Sequence, residues 1–260
     1  MTSRDNAQVK EIVRLLGQKK QRENTGLFVT EGVKLSLEAL ESGLHLESVC
    51  MTPQAAEKHR ELEPLKAAGA HTLFIAKELA LRISDTRTPQ GVFCIWKQRP
   101  HTEADILLKE NGRYLILCSL QDPGNMGTVL RTSEAFGVDG VFISSDCPDL
   151  YSPKVLRGAM GGIFRLPIAL CPDMPALLER LAQKGVALYA SALSQEAQSL
   201  PQMTFQGSCG LLIGNEGNGL SQELLERCSH QVMIPMAGRA ESLNAGVAAG
   251  ILLWEMCDHR

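Results

Sequence analysis

Apolar residues recur at three-to-four spacing between Asn6 and Gly17, with Val9, Ile12, Val13 and Leu16 on one stripe, and this spacing predicts an amphipathic helix. A second helix is predicted after Phe28-Val29-Thr30, where Val33, Leu37 and Leu40 share a face and Gly43 supplies a stop. Short apolar runs follow at Ser48 to Met51, Thr72 to Ile75 and Val92 to Trp96, separated by polar helical stretches such as Thr52 to Ala68. Alternation of this kind is an α/β pattern. The polar, proline-containing stretch from Lys97 to Glu103 marks a linker, so a front domain over 1–98, a connection over 99–112 and a second domain over 113–260 are expected.

From Tyr114 the alternation becomes regular. Strand-like runs lie at 114–120, 141–145, 164–168, 186–193, 209–213 and 232–234, separated mostly by helix-like segments. A parallel sheet covered on both faces is the architecture that buries such runs. The last helix carries Leu243, Val247, Ile251 and Trp254 as a wide apolar stripe, which calls for burial against the sheet or a second subunit.

Composition narrows the class. A length of 260 residues with 44% hydrophobic content supports two domains with real cores. No run of about 18 apolar residues is present, and the first 21 residues lack the apolar centre of a signal peptide, so a cytoplasmic protein without a membrane span is expected. Net charge is −3, yet the first 22 residues carry Arg4, Lys10, Arg14, Lys19, Lys20 and Arg22 against only Asp5 and Glu11. Such an arm suits phosphates, and equally suits a solvated helix face followed by a mobile basic turn. The eight cysteines are scattered singly, with no CxxC pair and no His at zinc-ligand spacing, which disfavours a metal or disulfide framework.

Three segments carry candidate chemistry. The stretch 122–131 (DPGNMGTVLR) leaves an apolar strand through a Pro-Gly turn and enters a helix, so that glycines and free amides face a ligand or anion. The stretch 211–220 (LLIGNEGNGL) repeats that design with a carboxylate, Glu216, inside the turn, where it either holds the loop or faces a ligand. The stretch 234–246 (IPMAGRAESLNAG) runs from strand to helix start. Ser242 is typed as an N-cap, and Asn244, placed inside an apolar helix, requires a specific hydrogen-bond partner. All three fall at carboxyl ends of strands, the edge at which open α/β sheets collect ligands.

Taken in order, Asn125 to Thr132, Ile213 to Leu220 and Ile234 to Asn244 resemble the NxGxxxRT, IGxExxGL and IPMxGxxxSLN motifs of the SpoU (TrmH) family of RNA 2'-O-ribose methyltransferases, within the SPOUT superfamily. The resemblance covers 114–260. The segment 152–161 (SPKVLRGAMG) is similar to the family stretch between the first two motifs, with Ala159 where Ser is common. In the front half, 28–32 (FVTEG) and 84–91 (SDTRTPQG) more loosely resemble an L30e-like substrate-binding domain.

The resemblance implies a SPOUT-type parallel sheet closed by a C-terminal trefoil knot, preceded by a smaller L30e-like RNA-binding domain over 1–98. It implies S-adenosyl-L-methionine as cofactor, held mainly by backbone around Leu193, Gly214, Ile234 and Leu243, and no metal. The expected substrate is a ribose 2'-hydroxyl in structured RNA and not DNA, ribosomal RNA of the 23S type being preferred and transfer RNA possible. Arg131 is the leading catalytic residue. An arginine alone is a poor proton acceptor, so its expected role is to clamp the target phosphate and stabilise the developing alkoxide, with a phosphate oxygen or water taking the proton. Asn125 and Asn244 are expected to orient Arg131 or the ribose, Ser242 to fix the third loop and Glu216 to brace the second. A homodimer through the C-terminal helix is implied. Two rivals remain: an RNA-binding or ribosome-assembly protein that has lost methyl transfer, and a nicotinamide oxidoreductase, whose glycine fingerprint is absent.

Overall fold

The computed structural model describes residues 6–68, 71–86, 88–194 and 196–258. Arg4 and Asp5 of the basic arm and Arg87 of the 84–91 stretch lie outside them. In chain order the elements are α1 (Ala7–Gly17), α2 (Lys19–Thr25), β1 (Leu27–Glu31), α3 (Val33–Glu41), β2 (Leu46–Met51), α4 (Pro53–Lys58), α5 (Glu63–Ala67), β3 (His71–Phe74), α6 (Lys77–Ile83) and β4 (Val92–Lys97). There follow β5 (Arg113–Leu117), α7 (Pro123–Ala135), β6 (Gly140–Ser144), α8 (Pro153–Ala159), α9 (Gly162–Arg165), β7 (Ile168–Cys171), α10 (Met174–Gln183) and β8 (Ala187–Ser191). The chain ends with β9 (Gln198–Ser199), β10 (Cys209–Ile213), α11 (Gln222–Leu225), β11 (His230–Met233) and α12 (Ala245–Asp258). It divides into two compact units, one of residues up to Pro100 together with Asp149–Phe164, the other of His101–Pro148 and the residues from Arg165 on.

The first unit is a four-stranded sheet in the order β1-β4-β2-β3, antiparallel except for the parallel pair β2–β3. Asn6 starts α1 by accepting from the Gln8 and Val9 amides at 2.9 and 3.4 Å. The helix buries Val9, Ile12 and Leu15 against Val29, Cys50, Phe93 and Ile95 of the sheet, while Val13 of the expected stripe is half exposed. The basic stretch after α1 is a helix, α2, and not a mobile turn. Its Arg22 is 4% exposed and pairs through Nε and Nη2 with Asp149 at 2.6 and 2.5 Å, while Nη1 reaches the Leu15 and Leu16 carbonyls. Arg22 is thereby withdrawn from any phosphate. On α3 the buried face is Val33, Leu35, Ser36 and Ala39 in place of the expected Leu37 and Leu40. Ser36 is tolerated there because its hydroxyl donates to the Gly32 carbonyl at 2.7 Å and meets Thr30, which in turn accepts from the buried Trp96 indole at 2.8 Å. The polar helix expected over 52–68 is broken into α4, a 3₁₀ turn at Arg60–Leu62 and α5, since Pro64 lacks the N–H a continuous helix needs.

The second unit is a seven-stranded, all-parallel sheet in the order β7-β6-β5-β10-β8-β11-β9. Such a sheet is buried on both faces, and β5, β6 and β10 are buried at every position. One face packs on α10 through Leu177, Leu178 and Leu181 against Ile116, Phe142, Leu188 and Leu212. The strand expected at 164–168 lies instead at Ile168–Cys171, and Gly162–Arg165 is helical. Pro167, unable to donate to a ladder, precedes this edge strand. The run expected at 232–234 begins two residues earlier, at His230.

On α12 the buried apolar side chains are Ala249, Leu252, Leu253 and Met256, whereas Val247 is 52% and Trp254 53% exposed, with Ile251 and, just ahead of the helix, Leu243 also open. The stripe expected to be buried is therefore bare in the single chain. Trp254 keeps one edge contact, with Phe136 at 5.5 Å between ring centroids. Gly246 and Gly250 let α12 approach α7, since a Cβ at Gly246 would stand 3.3 Å from Thr128 Cγ2 and one at Gly250 3.8 Å from Thr132 Cγ2. The far end of α12 is held by the buried Arg113, whose Nε donates to the Met256 carbonyl at 2.7 Å and whose Nη1 donates to Gly207 O at 2.5 Å. Six of the eight cysteines are buried as small apolar groups, and burial pushes Cys50 and Cys94 up to about 12. Among the described residues no helix is long and apolar enough to cross a membrane.

Candidate active site

Strand order reverses between β5, from which the chain proceeds outward to β6 and β7, and β10, whose far neighbours are β8 and β11. Ligand crevices form at such a reversal, beyond the carboxyl ends of the strands. Here the loops after β5, β8, β10 and β11 meet, and each is shaped by its own sequence.

After β5, Ser119 takes a left-handed φ of 57°, and Asp122 caps α7 by accepting from the Asn125 amide at 2.9 Å with Pro123 in the first turn. After β10, Asn215 and Gly219 pair backbone to backbone at 3.0 and 2.9 Å, closing a turn in which Asn215 Oδ1 accepts from the Gly217 and Asn218 amides. A Cβ on Gly214 would lie 2.4 Å from the Gly219 carbonyl carbon, so close packing alone demands glycine there. After β11, a long loop reaches α12, and the cap of that helix is Asn244. Its Oδ1 accepts from the Gly246 and Val247 amides at 2.9 and 3.2 Å. This corrects the expectation that Ser242 is the cap. It also removes Asn244 from the helix interior, and it is exposed rather than buried.

One polar chain ties these loops together. Asn244 Nδ2 donates to Asn125 Oδ1 at 2.9 Å, and Asn125 Nδ2 donates to Glu216 Oε1 at 3.0 Å. Glu216 also accepts from the backbone amides of Gln121 at 2.9 Å and Asp122 at 3.1 Å. Partial burial raises the Glu216 pKa, but these donors outweigh it and hold the group below the ordinary carboxylate value. Asn215 adds a fifth tie through Nδ2 to the Ser119 carbonyl at 2.9 Å, and Ser119 is itself anchored by its hydroxyl on Asp146 at 2.5 Å. Asn215, Asp122 and Asp146 were not singled out from sequence. Asp122 was legible as an acid ahead of Pro at a helix start; the Asp146 contact spans 27 residues and leaves no local signal.

A cavity of about 520 Å³ opens beside this network. Leu193, Gly214, Ile234 and Leu243 all line it, together with Glu216, Glu241 and Ser242. Within the described residues the backbone amides of Leu193, Gly214, Ile234 and Leu243 donate no hydrogen bond, and Leu193 is 65% exposed. Ser242 makes no hydrogen bond among the described residues, and no contact of this kind accompanies the loop-fixing role expected of it. The Arg131 side chain stands exposed on α7 with no hydrogen bond or ion pair among the described residues; Asn125 and Asn244 bond to each other and not to it. The structure therefore unites Asn125, Glu216 and Asn244, gathers the four apolar and glycine positions around a cavity, and leaves Arg131 free to meet something else.

Strand order and cavity together define a parallel α/β domain with a ligand-sized site at its switch point. Residues 112–254 match the model of the SpoU rRNA Methylase family, and residues 6–94 match that of the MRM3-like substrate binding domain. A 23S rRNA (guanosine(2553)-2'-O)-methyltransferase of Bacillus subtilis is 32% identical over 92% of this chain and 91% of its own. A 23S rRNA (uridine(2479)-2'-O)-methyltransferase of Streptomyces viridochromogenes is 28% identical over 100% of this chain and 92% of its own. Among solved structures, an AdoMet-bound rRNA methyltransferase from Sinorhizobium meliloti superimposes with a TM-score of 0.88 at 33% identity, covering 100% of this chain and 97% of that one. The chain belongs to the SpoU rRNA methylase family.

Proposed function

We propose that this protein transfers the methyl group of S-adenosylmethionine to a ribose 2'-hydroxyl of ribosomal RNA of the 23S type. The observation that carries this reading is the polar chain Asn244–Asn125–Glu216, which joins all three motif loops at the rim of one cavity. The cavity suits the cofactor, since its volume falls in the range of small-molecule sites and it offers apolar walls beside unpaired backbone amides, as an adenosyl group requires. Leu193, Gly214, Ile234 and Leu243 would hold it. When bound, S-adenosylmethionine supplies an electrophilic methyl on a positively charged sulfur.

The chain's own residues supply position and charge. Arg131, unpaired on α7, clamps the phosphate beside the target ribose and stabilises oxyanion character as the hydroxyl proton passes to a phosphate oxygen or water. Asn125 and Asn244 fix the loops that orient the ribose, and Glu216 fixes Asn125. In-line geometry accounts for much of the acceleration. The unit containing residues 6–94 is assigned to holding RNA, as the description of its matching model suggests. Relatives named for 23S rRNA match over 92% and 100% of the chain, whereas a structure described for 2-OH methylation of tRNA matches over 55%, which favours the ribosomal substrate.

We place the protein in the cytoplasm, where such a substrate is found. A trefoil knot is also part of this reading: β11 lies outside β8, yet the chain after it returns to pack α12 on β10 and α7, as a threaded segment would. A homodimer covers Leu243, Val247, Ile251 and Trp254, which a lone chain leaves in water. Trp254→Glu is expected to shift sedimentation to monomer; an unchanged dimer, or a wild-type monomer at micromolar concentration, refutes that assembly.

The test of the activity is a map of alkali-resistant backbone positions in RNA from cells with and without the gene. A single 2'-O-methyl position in 23S rRNA should vanish. Identical maps in ribosomal and transfer RNA would end the ribose assignment.

A further inference from the structure

Among the described residues, the walls of the 520 Å³ cavity carry two carboxylates, Glu216 and Glu241, and no Lys, Arg or His. Both oxygens of Glu216 are committed, to the Gln121 amide on one side and to the Asp122 amide and Asn125 on the other. Glu241, next to Ser242 in the third loop, makes no hydrogen bond or ion pair among the described residues. An occupant thus meets one structural carboxylate and one free one, with no cation in the wall to offset either. On the proposed function, the two species that must pass through this site differ by one unit of charge. The donor carries a sulfonium, an ammonium and a carboxylate and is a net cation. As methyl passes to the ribose oxygen, the carbon–sulfur bond breaks, its electron pair stays on sulfur, and the hydroxyl proton leaves, so the thioether product is net neutral.

We propose that Glu241 is a specificity-determining residue that makes the cavity sort its occupants by net charge, favouring the sulfonium donor over the thioether left behind. Resting on the functional reading above, this adds to it a means of product release. Transfer itself abolishes the attraction, because the positive charge disappears while both carboxylates remain. Glu241 is exposed, so its contribution is that of a solvent-screened pair, about two- to fivefold in affinity.

Calorimetric titration of the full-length protein with S-adenosylmethionine, S-adenosylhomocysteine and sinefungin separates charge from shape, since sinefungin has an amine where the donor has its sulfonium. For Glu241→Gln, affinity for the donor and sinefungin should fall about two- to fivefold, while that for S-adenosylhomocysteine stays fixed. In the wild type, raising salt should weaken the two cationic ligands and spare the neutral one. Equal losses for all three ligands, no change for any, or one salt dependence shared by all overturns the proposal and leaves the functional reading intact. Failure of the folded wild-type protein to bind any of the three removes both.

Discussion

Asn244 performs two tasks with opposite ends of one amide, and a pair of substitutions separates them. Its oxygen caps α12, and its nitrogen holds Asn125. Asn244→Ala abolishes both, and loss of the cap costs about 1 kcal/mol, a fall of roughly 2–4 °C in Tm for a domain of this size. Asn244→Asp keeps an oxygen on the Gly246 and Val247 amides and adds a negative charge at a helix N-terminus, worth about 0.3–1 kcal/mol in favour. It also sets an acceptor against Asn125 Oδ1, and Asn125 cannot turn its amide over without surrendering Glu216. The lost hydrogen bond, about 0.5–1.5 kcal/mol, translates into roughly a two- to tenfold fall in kcat/KM. Thermal melts together with transfer of labelled methyl to 23S transcript therefore dissociate the variants, with Asn244→Asp stable yet slow and Asn244→Ala unstable and slow. If Asn244→Asp turns over like the wild type, or melts as low as Asn244→Ala, the two-role account is wrong.

Arg131→Lys, which keeps the charge but loses the planar fork, should cut turnover at least tenfold with S-adenosylmethionine affinity unchanged by calorimetry; full turnover would dismiss the phosphate clamp. Gly214→Ala forces a methyl to within 2.4 Å of the Gly219 backbone and should lower stability by about 1–3 kcal/mol in urea titration, together with cofactor affinity. Because Glu216 has its pKa lowered in the fold, the stability it adds is complete above the ordinary value of 4.5 and fades as pH falls through the lowered one. Between about pH 5 and pH 3 the wild type should accordingly lose more stability than Glu216→Gln; parallel pH profiles would contradict the hydrogen-bonding account.

The sequence disclosed most where one period dominated. The β10 run at 209–213 matches the strand, because four apolar side chains and a glycine lie between a turn and a glycine loop, and the three loops lie at strand ends. Periodicity failed where several faces were apolar or none was. In α12 nearly every position is apolar up to Glu255, so a stripe of 243, 247, 251 and 254 read as well as the one actually buried. In α2 no apolar residue exists to mark a face, and the element is held by a buried guanidinium instead. Two good capping residues two positions apart, Ser242 and Asn244, left the start of the last helix ambiguous; the partner across the loop, Asn125, decided it. Arg131 is conspicuous in sequence, and its side chain has no hydrogen bond or ion pair among the described residues, which is what the proposed phosphate clamp calls for.

The first unit is discontinuous in sequence. Phe28 packs on Tyr151 with ring centroids 4.4 Å apart, and the buried Arg22 finds its counter-ion in Asp149. A fragment ending at residue 100 would lack the counter-ion of Arg22 and the ring that covers one side of Phe28. During translation, this amino-terminal body must wait for some sixty further residues to leave the ribosome before it can close, and the first strands of the catalytic sheet are made in the interval.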